Sequence, residues 1–113
     1  MRRLLVPSLL AASLAGAQSP PPAAPFELAL EAGKMHEICA RLAKGEKRRY
    51  HWKASGPVDF NIHYHEGNEV FYPVKRESMR GDGGTFVAKI DQDYCWMWTA
   101  RVGAATVSGQ VLE

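Results

Sequence analysis

The seven residues Asp59-Phe60-Asn61-Ile62-His63-Tyr64-His65 alternate between polar and apolar without a break. In an extended strand that alternation sends Phe60, Ile62 and Tyr64 to one face and Asp59, Asn61, His63 and His65 to the other. Next-but-one neighbours on the polar face stand about 6–7 Å apart. At that spacing His63 and His65 can ligate one ion from the same side, and neutral imidazole suits copper and zinc. His51, Met79 and Glu66 are the residues that could complete such a site. The stripe equally fits a hydrated face on which Asp59 and Asn61 satisfy cross-strand neighbours and both histidines lie at the surface. Two adjacent imidazoles repel once both are protonated, so a ligand held there is expected to loosen below about pH 6.5.

A second concentration is Tyr94-Cys95-Trp96-Met97-Trp98, where Cys95 and Met97 share one strand face and the three aromatics share the other. Cys39 and Cys95 are the chain's two cysteines. An even count in a small exported domain reads as one structural disulfide, here joining an early strand to a late one. With Cys95 bridged inside, Tyr94, Trp96 and Trp98 point outward or into a second packed layer. Outward, Trp96 and Trp98 extend the ligand face; inward, they are core. Several chemistries fail on spacing. Type 1 copper needs a histidine between its cysteine and methionine, yet only Trp96 separates Cys95 from Met97, and no histidine follows His65. A bridged cysteine has no thiolate to attack with. Ser55, Ser78 and Ser108 sit in no nucleophile elbow. Type 1 copper, a cysteine nucleophile and a serine triad are thus each disfavoured, and the expectation taken forward is a non-enzymatic protein.

The elements that must position these residues are mostly short strands. Residues 35–42, 47–54, 58–65, 69–74, 85–90, 93–99 and 104–112 carry strand patterns, with turns at 43–46 and 66–68 and a polar, glycine-rich loop over 75–84. About seven strands at this spacing predict an all-β, antiparallel sandwich over residues 35–113. Residues 18–34 read as a proline-rich leader and short linker, with 26–32 as a short helix or an edge strand. A bridge from Cys39 to Cys95 closes a loop that stabilises by roughly 4 kcal/mol on the chain-entropy account.

Residues 1–17 have the parts of a signal peptide. Arg2 and Arg3 precede an apolar run from Leu4 to Leu14, and Ala15-Gly16-Ala17 supplies small residues for cleavage. The expected location is periplasmic or secreted. The apolar run is shorter than the ~20 residues of a span, so no transmembrane segment indicates membrane contact. Cleavage also removes both arginines behind the net charge of +2, which weighs against nucleic acid as a partner. Lys44, Lys47, Arg48, Arg49 and Lys53 cluster in sequence. Such a cluster can bind phosphate or anionic lipid, but the favoured reading is a charged, solvated strand edge.

Glu37-Ile38-Cys39, the Lys44-Gly45 turn, Val58-Asp59-Phe60, Gly84-Thr85-Phe86-Val87-Ala88 and Asp93-Tyr94-Cys95-Trp96-Met97-Trp98 together resemble the GOLD (Golgi dynamics) domain over about residues 35–112. In the lumenal domains of secretory cargo receptors, an early cysteine pairs with one in a late strand between a tyrosine and an aromatic. The resemblance implies a jelly-roll-type sandwich, a Cys39–Cys95 bridge, and a module for protein or lipid contacts instead of chemistry. The chain is also similar to small exported bacterial proteins of unassigned role. The His63/His65 stripe is no part of the GOLD pattern, and cargo-receptor function does not carry over. Two functions follow, beside a third reading as a purely structural envelope component. One is an exported binding module, without cofactor, that meets a protein or small ligand through Asp59, Asn61, His63, His65, Trp96 and Trp98. The other is a periplasmic copper- or zinc-binding protein using His63 and His65.

Overall fold

The computed structural model describes residues 24–112; the signal peptide expected at 1–17 and the expected leader up to residue 23 lie outside the described residues. Six strands run in the order β1 (Phe26–Leu30), β2 (Met35–Leu42), β3 (Lys47–Glu66), β4 (Glu69–Val87), β5 (Gln92–Thr99) and β6 (Ala105–Leu112). All pairings are antiparallel.

The fold is organised by the long β3–β4 ribbon, which turns at Gly67, a residue with φ of 61°. One edge of β3 bonds to β4. The other edge is divided, with Arg49–Ala54 pairing β6 and Asp59–His63 pairing β5. The change of partner falls at Ser55-Gly56-Pro57, where the ladder to β4 also slips between Lys53 and Val58. Proline cannot donate to a ladder and is tolerated at such an irregularity. β1 extends the first wing beyond β6, and β2 extends the second beyond β5. Bending the ribbon turns the two wings toward each other, so one sheet curls into a half-barrel with a shared interior.

Three sequence expectations change here. The strands expected at 47–54 and 58–65 are one bent strand, and the loop expected over 75–84 is the middle of β4, which makes six strands where about seven were counted. Gly81 and Gly83 belong to that strand because it crosses β3 closely. A Cβ at either would lie 3.1 Å from the carbonyl oxygen of Trp52 or Tyr50. Residues 26–30 form an edge strand against β6 with Leu30 buried, in keeping with the second of the two readings given to 26–32. The basic cluster lies largely along β3, which is paired on both sides from Arg49 to Lys53. Lys47, Arg49 and Lys53 take its outward face, whereas Arg48 lies on the Tyr50 and Trp52 face and pairs with Glu46.

The interior is aromatic. Trp52 on the first wing meets Trp98 on the second at 6.5 Å, Tyr50 meets Trp96 at 6.5 Å, and Phe60 lies 5.6 Å from Trp98. Phe86 packs edge-on against Tyr94 at 4.9 Å. Each such side chain buries about 150–250 Å². Trp96 and Trp98 are fully buried, which removes both from the ligand face where the sequence had grouped them. β5 lies between β3 and β2 with its Tyr94, Trp96 and Trp98 face toward the opposite wing, and Cys95 and Met97 take the outer face. The Nε1 atoms of Trp52, Trp96 and Trp98 are buried without a hydrogen-bond partner among the described residues. Edge-to-face contacts such as Trp96 on Phe86, at 85°, are the polar complement left to them.

Candidate functional site

The outer face of the second wing carries the candidate site. Register places Cys39 of β2 opposite Cys95 of β5, and Cys95 opposite His63 of β3, so the three form one row across three strands. Cys39 and Cys95 are joined as a disulfide, which staples β2 to β5. In the next row Glu37 and Asn61 flank Met97. From there both polar side chains reach diagonally to the same imidazole.

His63 is 3% exposed, and both of its ring nitrogens are engaged. Nδ1 lies 2.7 Å from Asn61 Oδ1, and Nε2 lies 3.2 Å from Glu37 Oε1. Asn61 is itself buried, whereas the Glu37 side chain is half-open to solvent. The Tyr72 ring covers His63 at 5.8 Å and His65 stands edge-on at 5.2 Å. The Lys75 ammonium caps Tyr72 at 5.0 Å. Burial pushes the His63 pKa below the ordinary histidine value; the Glu37 carboxylate opposes that and the His65 ring adds to it. The cluster of Glu37, His63 and Cys95 brings three potential ligand atoms within 4.8 Å of one another. The Cys95 sulfur is spent in the disulfide, so in this form Glu37 and His63 are the effective donors.

This geometry constrains protons. A neutral imidazole has one N–H. When Nδ1–H donates to Asn61 Oδ1, the Nε2 lone pair faces a carboxylate oxygen at 3.2 Å. Two acceptors at that distance need a cation between them, either a proton or a metal ion. Turning the Asn61 amide round is the other solution, with its NH₂ donating to Nδ1 and Nε2–H donating to Glu37.

The stripe expected from sequence is thus only partly a surface. Asn61 and His63 are buried, and His65 is exposed at its end. Asp59 is committed elsewhere. Its Oδ1 accepts the N–H of Ser78, which sits in the left-handed region at φ 51°, and its Oδ2 pairs with Arg101 Nε at 3.1 Å. Asp59 therefore holds the irregular middle of β4 and the β5–β6 connection. His51 lies on the β6-paired half of β3, Met79 packs against the core, and Glu66 sits at the exposed ribbon tip. None of these three joins the His63 cluster. Glu37 was missed in the sequence. Its signal was position, two residues before Cys39 on the same strand face, which matters once Cys39, Cys95 and His63 are known to form one row.

No family model matches this chain, the GOLD domain included, and no curated protein matches it. Solved structures share the fold. The pre-peptidase C-terminal domain of collagenase from Bacillus anthracis superposes with a TM-score of 0.58 at 13% identity, covering 79% of this chain and 88% of that one. The Yersinia pseudotuberculosis-derived mitogen gives 0.52 at 6% identity, over 77% and 83%. A periplasmic inhibitor of g-type lysozyme from Aeromonas hydrophila gives 0.45 at 12% identity, over 80% and 86%. At these identities the first two matches establish a shared all-β, partly barrel-like architecture and nothing about shared activity. No helix among the described residues is long and apolar enough to cross a membrane.

Proposed function

We propose that this chain is an exported, non-enzymatic binding module whose ligand surface is the outer face of β2, β5 and β3 around Glu37, His63 and His65. The observation that carries the reading is a buried histidine, steadied at Nδ1 by Asn61, with Nε2 turned toward a half-open carboxylate. Buried polar groups that are oriented but open at one end suit recognition, because their desolvation cost is already met in the free protein. The signal-like N-terminus and the disulfide support export. The pre-peptidase C-terminal domain and the mitogen, which share the fold, are each named for something other than a reaction of their own. A fragment screen read by NMR shift changes tests the module. Hits that move Glu37, Asn61, His63 and His65 support it, and hits confined to other surfaces overturn it.

A second reading, a copper or zinc site, is favoured by the 3.2 Å approach of Nε2 to Oε1 and by Asn61 in the position of an outer-shell partner. It replaces the His63/His65 pair with Glu37 and His63, with His65 at the rim. Titration of the whole chain with Zn²⁺ and Cu²⁺ decides it. A bound metal at a hundredfold excess over Kd adds about 2.7 kcal/mol of stability, and Glu37→Gln should abolish the gain. A melting temperature indifferent to either metal ends the metal reading and leaves the module standing.

A further inference from the structure

The curled sheet is left open along β4. Where its two halves face each other across the interior, they and the β4–β5 connection enclose a cavity of about 480 Å³. We propose that this seam binds a medium-sized apolar anion, of the class of a medium-chain carboxylate. The site lies mostly on the inner side of the sheet and meets the outer face at Tyr72, whose ring also covers His63. No member of the Glu37, Asn61 and His63 cluster lines it, and it does not depend on the function proposed above.

The walls are built before any ligand arrives. Tyr64 stacks on Phe71 at 5.1 Å, Tyr94 meets Tyr64 edge-on at 5.5 Å, and Phe86 meets Tyr94 at 4.9 Å. Tyr94 and Phe86 are buried and form the floor. The Tyr94 hydroxyl donates to the carbonyl of Ile90 at 3.0 Å, which ties the connection down over the cavity. The volume falls within the range of small-molecule sites, and the mouth of a barrel is a usual place for one.

The exposed apolar side chains point to the same place. Of the seven large hydrophobic residues that the described chain exposes, Phe71, Tyr72, Val87 and Ile90 line this cavity. Apolar side chains gathered at one concavity, and not scattered singly, mark a surface that is covered in use.

The charge pattern selects the sign of the ligand. Lys89 is the one charged residue lining the cavity, and no carboxylate does so. No ion pair among the described residues engages its ammonium. The nearest acid in sequence, Asp91, is occupied, with its Oδ1 accepting the Lys44 backbone N–H at 2.6 Å. An apolar wall beside an unpaired cation favours an amphiphile with a negative head and disfavours its cationic analogue.

The test uses the whole chain with sodium decanoate and decyltrimethylammonium, both below their micelle-forming concentrations, and phosphatidylglycerol vesicles in a third arm. Decanoate should raise the melting temperature and shift the NMR signals of Tyr64, Val87 and Ile90, and it should bind at least tenfold tighter than the cation. Lys89→Glu, an exposed substitution, should keep the free protein's melting temperature and reverse that preference. Val74→Trp should fill the cavity and abolish decanoate binding, and His63→Gln should leave it unchanged. Equal affinity for both amphiphiles, no decanoate binding at millimolar concentration, loss of binding in His63→Gln, or capture by vesicles alone would each overturn the proposal.

Discussion

Replacing both Cys39 and Cys95 by alanine tests the largest single covalent constraint on this fold. The two residues are 56 apart in sequence. For a loop of that size the chain-entropy relation gives about −14 cal/mol/K, or roughly 4 kcal/mol at 25 °C. Packing contributes little to the expected loss, since Cys39 is exposed and Cys95 only half-buried. A domain of this size is usually stable by no more than about 5–15 kcal/mol, so the loss is a large fraction of the whole. It corresponds to a fall in melting temperature of about 15–30 °C. The assay is urea unfolding followed by tryptophan fluorescence, on the oxidised chain, on the same chain with a phosphine reductant, and on the double variant. Because the cross-link acts mainly on the unfolded state, the reduced chain and the variant should agree within about 0.5 kcal/mol, and both should show a larger m-value than the oxidised chain. A double variant within 1 kcal/mol of the oxidised chain would refute the reasoning. So would a variant much less stable than the reduced chain, because the loss would then lie in packing.

Three further outcomes follow from the same geometry. Gly109 is flanked in register by Phe26 of β1 and Trp52 of β3, and a Cβ there would lie 2.7 Å from Trp52 Cα and 2.8 Å from its Cβ. Gly109→Ala should therefore destabilise by about 3 kcal/mol in urea unfolding, with Ser108→Ala on the same strand as a mild control. His63 carries a pH signature. Its folded pKa lies below the ordinary value because burial disfavours the cation, so the unfolded chain takes up the proton first as pH falls. Its contribution is complete above about pH 6.5 and is lost as pH drops from there toward the folded value, at no more than about 1.4 kcal/mol per unit. His63→Gln should flatten that part of the stability profile, measured as urea midpoints at pH 7.5, 6.5 and 5.5. Trp98→Ala should cost about 3–5 kcal/mol, and Trp98→Phe much less, because the indole Nε1 has no hydrogen bond to lose.

How the chain divides between legible and illegible follows from the period of a strand. Alternation told which residues travel together: Phe60 with Ile62, His63 with Asn61, and Cys95 with Met97 apart from Trp96 and Trp98. The cysteine count pointed to the bridge, and the pattern over 35–42 marked β2 at its observed limits. Alternation is symmetric, however, and does not say which face is covered. That was decided when the bent ribbon brought the β6–β1 wing over one side of β5, which buried Trp96 and Trp98 and left the disulfide outside. The bend itself was hidden, because Ser55-Gly56-Pro57 looks the same whether a strand ends there or changes partner. The half-buried Glu37 and the cavity beneath Lys89 were equally out of reach, since each depends on residues far apart in sequence meeting across strands. The sequence alone thus determined which residues share a face and pointed to the staple. Only the tertiary register and curl determined what each face meets, because burial is a property of the neighbour and not of the strand.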